Sequence, residues 1–169
     1  MSSNMMMAPA SPDALPPSPR KVFEAARALG LDLSVHVMAQ STRTAEEAAA
    51  ACECQVGQIV KSLVFRSRPS GRTLLFLVAG DKRLDENLAA GLIGEGLERP
   101  DGRSVREATG FAIGGIPPFG HQTRLATIMD EDLLAHEVIW AAAGAPTAVF
   151  PIAPSALQKA TGARVAKLT

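Results

Sequence analysis

Two short segments hold the residue types that could do chemistry. The first is Ile59-Val60-Lys61-Ser62-Leu63-Val64-Phe65, where alternation places Ile59, Lys61, Leu63 and Phe65 on one face of a strand. A lysine among three large apolar neighbours is costly unless its stem snorkels to water or its ammonium meets an anion. Lys61 is therefore either a rim lysine or a cation aimed at a phosphate or at developing negative charge. The second segment is Gly114-Gly115-Ile116-Pro117-Pro118-Phe119-Gly120-His121. Paired glycines permit positive φ and close approach of a ligand to the backbone. Paired prolines stiffen the chain behind them and remove two N–H donors. The donors that remain, on Gly114, Gly115 and Ile116, suit a fixed backbone that stabilises a carbonyl or oxyanion. A purely structural Gly/Pro turn is the competing reading. His121 ends the segment and could donate or accept near a site, although a lone histidine is more often structural.

Other chemistries find no support. There is no Gly-x-Ser-x-Gly elbow, no Walker-type phosphate loop and no paired-histidine metal motif. Cys52-Glu53-Cys54 lacks the second cysteine pair that a zinc site commonly uses, and His36, His121 and His136 are scattered. Packing is the expected role of both cysteines, and neither metal nor cofactor is expected. Asp130-Glu131-Asp132 reads as a solvated helix start. Between positions 61 and 83, Lys61, Arg66, Arg68, Arg72, Lys82 and Arg83 stand against Asp81 alone. A positive hairpin beside a backbone-lined pocket suits an anionic polymer whose end enters that pocket; a solvated hairpin fits the pattern as well.

The elements that must position these residues follow from composition and pattern. With 169 residues, 47% hydrophobic and 20% charged, the chain is a one-domain globular sequence. Seventeen basic residues balance seventeen acidic ones, which excludes a bulk basic footprint. Two cysteines cannot build a disulfide framework. No run of ~18 apolar residues suggests a membrane-spanning helix. Residues 1–19 hold five of the twelve prolines and four of the six methionines, with Asp13 their only charge. They read as a flexible Pro/Met-rich tail and a poor secretion signal, so the cytoplasm is the expected compartment. The body, 20–169, reads as a single domain. Helices are predicted over 20–29, over 45–53 behind a Thr44/Glu47 capping box, from Asp85 to Ile93, from Ser104 to a stop at Gly110, and over 154–161. Strands are predicted over 33–38, 59–65, 73–79, 126–129, 137–142, 147–150 and 164–167, with a helical turn at 130–134. The fold class is α+β, a mixed and partly barrel-like β-sheet surrounded by short helices.

Taken together, these segments resemble the YbaK/EbsC family of aminoacyl-tRNA deacylases, which includes free-standing relatives of the editing domain of bacterial prolyl-tRNA synthetase. The matching stretches are Val56 to Phe65, Ala108 to His121 and Thr123 to Asp130, in family order and spacing. The resemblance implies a compact mixed α/β fold whose pocket receives the 3′ end of a mischarged tRNA, and hydrolysis of the ester to the terminal adenosine without a metal. The family's Gly-x-x-x-Pro loop falls on Gly114 to Pro118 and its signature lysine on Lys61. The loop is then expected to hold the aminoacyl group through its backbone, and Lys61 to orient the substrate through its phosphate. By the same likeness the terminal ribose 2′-hydroxyl helps position or activate the attacking water. Cysteine-directed members carry a tyrosine where this chain has Met38 and an aspartate where the alignment places Val149. Both replacements make the pocket less polar. Alanine or 2-aminobutyrate on proline tRNA is the expected substrate rather than cysteine. The expected partners are the aminoacyl-tRNA 3′ end and, as an option the family leaves open, prolyl-tRNA synthetase. A non-catalytic tRNA- or amino-acid-binding or synthetase-associated module with the same fold is the alternative.

Overall fold

The computed structural model describes residues 8–169. In chain order the elements are α1 (Pro17–Ala28), β1 (His36–Val37), α2 (Ala45–Cys52), β2 (Val60–Arg68), β3 (Thr73–Ala79), α3 (Glu86–Ile93), β4 (Gly96–Glu98), α4 (Gly102–Thr109), β5 (Ala126–Asp130), β6 (Ile139–Ala142), β7 (Ala148–Ile152), α5 (Pro154–Thr161) and β8 (Arg164–Ala166). β2 and β3 pair antiparallel at the centre of a five-stranded sheet of order β4-β2-β3-β5-β8, in which β5 and β8 run parallel to their neighbours. Both faces of this sheet are covered. Val60, Leu75, Leu77 and Ala79 enter the larger core with Val22, Met129 and Phe150. Phe65, Leu74, Phe76 and Val78 enter a second core with Leu84, Ala89 and Leu168. Burial on both sides explains why Thr73–Ala79 is a continuous apolar run instead of an alternating one.

β1, β7 and β6 form a separate three-stranded antiparallel sheet. The two sheets meet at one parallel bridge, Ile59 to Trp140. The mixed α+β class holds, and the barrel-like character goes no further than this bridge. The sheets do not close: among the described residues, β2 and β6 form no ladder beyond this bridge.

Local signals placed most helices. Thr44 Oγ1 accepts the Glu47 N–H at 3.1 Å, and Asp85 Oδ1 accepts the N–H groups of Asn87 and Leu88. Ser104 is not the cap of its helix. Asp101 is, accepting the Ser104 N–H at 2.7 Å, and a carboxylate there also meets the positive end of the helix dipole. The expected tail boundary at position 19 also moves. α1 starts at Pro17, since proline suits a first turn whose N–H groups have no helical partner. Leu15 is buried, and Ala10 donates to the Val35 carbonyl at 2.9 Å. The methionine-rich part of that tail, residues 1–7, lies outside the described residues. Strand 33–38 shrinks to His36–Val37, paired with β7.

Asp130 is fully buried, not solvated. One carboxylate oxygen accepts the Leu168 N–H at 2.7 Å and the other the Asp132 N–H at 3.1 Å. This ties the C-terminal segment to β5. Asp130→Ala is expected to cost about 2 kcal/mol, because the buried Leu168 N–H then has no acceptor. Urea unfolding of the two proteins checks this.

Candidate active site

Where β2 and β6 part, a cleft of about 260 Å³ opens. β2 supplies Val60 to Leu63, β6 supplies Trp140 to Ala142, and β7 supplies Ala148 and Val149. The start of α2 adds Thr44, Ala45 and Ala48, with Thr42 and Arg43 just before it. The segment between α4 and β5 closes the cleft with Ile113, Gly114 and Ile116. A second cavity of about 190 Å³ continues along β2 from Ser62 to Phe65, under Arg99, Pro100 and Val105. Ser62, Leu63, Ile113 and Ile116 are common to both.

The glycine–proline loop is built by packing. Gly114 has φ +103°, which an L side chain rarely adopts. Gly115 is needed for a different reason: a Cβ there would lie 2.6 Å from Ala145 Cα and 2.7 Å from its nitrogen. The loop thus lies directly against the turn between β6 and β7. Ile116, Pro117, Pro118 and Phe119 are buried, and Phe119 stacks obliquely on Phe150 at 5.6 Å. Of the three expected donors, the Gly115 N–H is engaged by the Ala112 carbonyl at 3.2 Å. The N–H groups of Gly114 and Ile116 have no protein partner among the described residues. These two residues line the cleft, whereas Gly115, Pro117 and Pro118 sit behind it.

His121 braces this loop from below. Its Nε2 lies 2.6 Å from the Pro117 carbonyl oxygen, so Nε2–H donates. Burial holds its pKa below the usual histidine value, with the Pro117 bond pulling the other way. A folded-state pKa below the unfolded one means that protonation opposes folding. The stability linked to neutral His121 is present above pH ~6.5 and is lost as pH falls. The wild-type protein is expected to lose stability between about pH 7 and 5 that a His121→Gln variant retains, read from urea midpoints at the two pH values.

Lys61 pairs across the ladder with Val78, so its side chain leaves the sheet on the side of the second core. It lines the cleft at the rim, and Nζ donates to the Lys82 carbonyl in the turn after β3. Partial burial lowers its pKa, and Arg83 adds to that; the carboxylates of Glu46 and Asp81 oppose it and favour the charged form. Val149 lines the cleft. Met38 does not, and packs behind the wall with Ile59, Trp140 and Val149.

Two of the six basic residues of the hairpin segment are paired with carboxylates. Arg68 pairs with Glu98 at 2.6 Å and Arg72 with Glu95 at 3.8 Å, so β4 and the residue before it cancel charge that the hairpin sequence alone leaves open. Arg43 on the cleft wall, and exposed Lys82 and Arg83 beside Lys61, are the basic groups near the opening. Cys52 is buried in the cluster beneath the cleft, where burial, reinforced by Cys54, pushes its thiol up to about 12. Such a thiol stays protonated and unreactive. Sequence reasoning missed Arg43, Ser62, Ile113 and Trp140 as wall residues. Ile113, 63% exposed yet large and apolar, carried the one available signal by its place beside Gly114.

Comparison with known proteins bears on this cleft. The profile of the aminoacyl-tRNA editing domain matches residues 39–160, from just before α2 to the last turn of α5. The chain belongs to the aminoacyl-tRNA editing domain family. The matched span holds every residue of the cleft wall named above. A solved structure described as "a putative trans-editing enzyme for prolyl tRNA synthetase" superposes on this editing domain with a TM-score of 0.88 and 49% identity, covering 92% of this chain and 99% of that one. A solved hypothetical protein gives 0.81 at 32% identity, over 88% of this chain and 98% of its own. An uncharacterized protein of Bacillus subtilis (strain 168), YwhH, is 27% identical over 125 residues, 74% of this chain and 79% of that protein. Among the described residues of the editing domain, no helix is long and apolar enough to cross a membrane.

Proposed function

We propose that this editing domain is a free-standing deacylase that removes a small amino acid, alanine or 2-aminobutyrate, from mischarged proline tRNA. The observation that carries the reading is the cleft between the two sheets, lined in one wall by Gly114 and Ile116, whose N–H groups have no protein partner among the described residues, and at the rim by Lys61. In the reaction, water oxygen bonds to the acyl carbonyl carbon, the ester C–O bond breaks, and the ribose hydroxyl regains its proton. The donors on Gly114 and Ile116 are assigned to the carbonyl oxygen, on which negative charge develops. Lys61 is assigned to the phosphate backbone of the acceptor end. A site that acts through main-chain donors and the substrate's own hydroxyl has no need of a side-chain nucleophile.

The wall chemistry favours a compact apolar acyl group. Ala45, Ala48, Ala141, Ala142, Ala145 and Ala148 all line the cleft, and Val149 is apolar. Editing by size fits the physics of the synthetase problem: one missing methylene changes binding in an apolar site by only ~1–3 kcal/mol, so smaller amino acids slip through. The likeness to the described trans-editing enzyme supports proline tRNA as the carrier.

A deacylation panel tests the reading. Proline tRNA charged with alanine, 2-aminobutyrate, serine, cysteine or proline is mixed with the protein. Alanyl and aminobutyryl esters are expected to be cleaved well above buffer rates and prolyl ester spared. Equal, buffer-level loss of all five sinks the proposal.

A further inference from the structure

The cleft exists because β2 lacks a neighbour along part of its outer edge. Gly80 donates to the Ile59 carbonyl and Ser67 to that of Arg72, so odd-numbered residues of β2 bond to β3. By the alternation of an antiparallel ladder, even-numbered residues direct N–H and C=O to the other edge. That edge is occupied at one end by the Ile59–Trp140 bridge and at the other by β4, which pairs from Arg66 onward. Ser62 and Val64 fall between, with no strand opposite among the described residues. Ser62 also carries a buried hydroxyl, Oγ, with no hydrogen-bond partner among the described residues, and it lies on the wall shared by both cavities. Ser62 therefore turns its N–H and C=O toward a space that Arg99, Pro100, Val105, Ile113 and Ile116 also line, with its unpartnered Oγ buried beside that space.

We infer that Ser62 receives the aminoacyl group as a single residue of a missing strand. An aminoacyl ester carries an amino N–H and a carbonyl oxygen on either side of one carbon, the same donor–acceptor pair that a residue offers in a strand. Its amino group donates to the Ser62 carbonyl, and its carbonyl oxygen accepts the Ser62 N–H. The oxygen's other lone pair, and the third that it gains as the tetrahedral oxyanion forms, are left for the Gly114 and Ile116 donors. A further amino hydrogen goes to Ser62 Oγ, which supplies the partner this buried hydroxyl lacks. The gap fits so small an occupant. Ser62 to Val64 spans about 7 Å, far short of a typical strand, and Trp140 and Pro100 flank it.

This inference rests on the deacylase reading, and its test separates the two. Alanyl and propionyl esters of proline tRNA differ only in the α-amino group. Each enzymic rate is divided by the uncatalysed hydrolysis of the same ester, which removes the difference in intrinsic reactivity. Wild-type protein is expected to favour alanyl over propionyl by at least about a hundredfold. Ser62→Ala should lower the alanyl value about tenfold and leave the propionyl value unchanged, with Ser62→Thr restoring it. A merely structural serine would move both esters together. Equal enhancement of the two esters by the wild-type protein overturns the inference and leaves the deacylase intact. Cleavage of neither overturns both.

Discussion

Lys61→Met is expected to cut kcat/KM for deacylation roughly a hundredfold, the size of effect that misplacing a substrate produces, while urea unfolding shows the fold intact. Methionine keeps an unbranched apolar stem of similar length near Leu63 and Val78, with sulfur in place of the δ-methylene, and deletes the amino group. The nitrogen it removes donates to a single exposed turn carbonyl, that of Lys82, which water can satisfy instead. Stability therefore has little to lose. The electrostatic role is different. Glu46 and Asp81 pull Lys61 toward the charged form at the rim of the cleft, against a burial that pushes it toward neutrality. An ammonium kept charged at some desolvation cost is suited to a phosphate. If the charge acts on the tRNA backbone, the loss should fall mainly on KM and shrink as salt screens the wild-type advantage. A Lys61→Met protein with wild-type kcat/KM at low salt excludes this role. Arginine is not expected to restore the activity fully, because its planar fork is longer and cannot repeat the single bond to Lys82 in the same position.

Parts of this site were legible because their causes are local. A lysine inside an apolar strand, a glycine pair before a proline pair, and the caps Thr44 and Asp85 each announce themselves within a few residues. Other parts depend on segments far away in sequence. The hairpin arginines look like an open cationic face until β4 brings Glu98 beside Arg68 and Arg72 finds Glu95. β4 itself, three residues starting at a glycine, has no pattern to find and exists through its register with Arg66 to Arg68. Asp130 reads as one of three solvated acids, and only the return of the chain end to β5 buries it. Ser62 has no signal at all in sequence. Its significance comes from which edge of β2 lacks a strand, a property of sheet order. Met38 fails as a wall residue for a related reason: β1 pairs with β7 in a register that sends it behind Val149 and Trp140.

Substitutions at the two adjacent glycines should separate conformational strain from steric exclusion. Gly114→Ala retains room, since the nearest foreign atom to a new Cβ is Pro146 Cγ at 3.7 Å; its penalty is the positive φ alone, about 1–3 kcal/mol. Gly115→Ala meets three backbone atoms of Ala145 between 2.6 and 2.8 Å. Backbone cannot step aside as a side-chain tip does, so either the loop or the turn between β6 and β7 must move. Overpacking of this kind costs about 1–3 kcal/mol, and the movement carries a catalytic penalty that the stability figure understates. Ile116 lines both cavities, and its N–H is one of the two proposed donors. Displacing the loop from Ala145 carries that donor away from the acyl carbonyl, where a shift near 1 Å costs on the order of a hundredfold. Gly115→Ala is thus expected to lose roughly a hundredfold in kcat. Gly114→Ala, although strained, should retain more activity for a similar loss of stability. Single-turnover deacylation alongside urea unfolding of both variants reads the two quantities. Should Gly115→Ala turn over as fast as the wild type, the seating of the loop on Ala145 has no part in placing the donors, and the backbone account of this site fails with it.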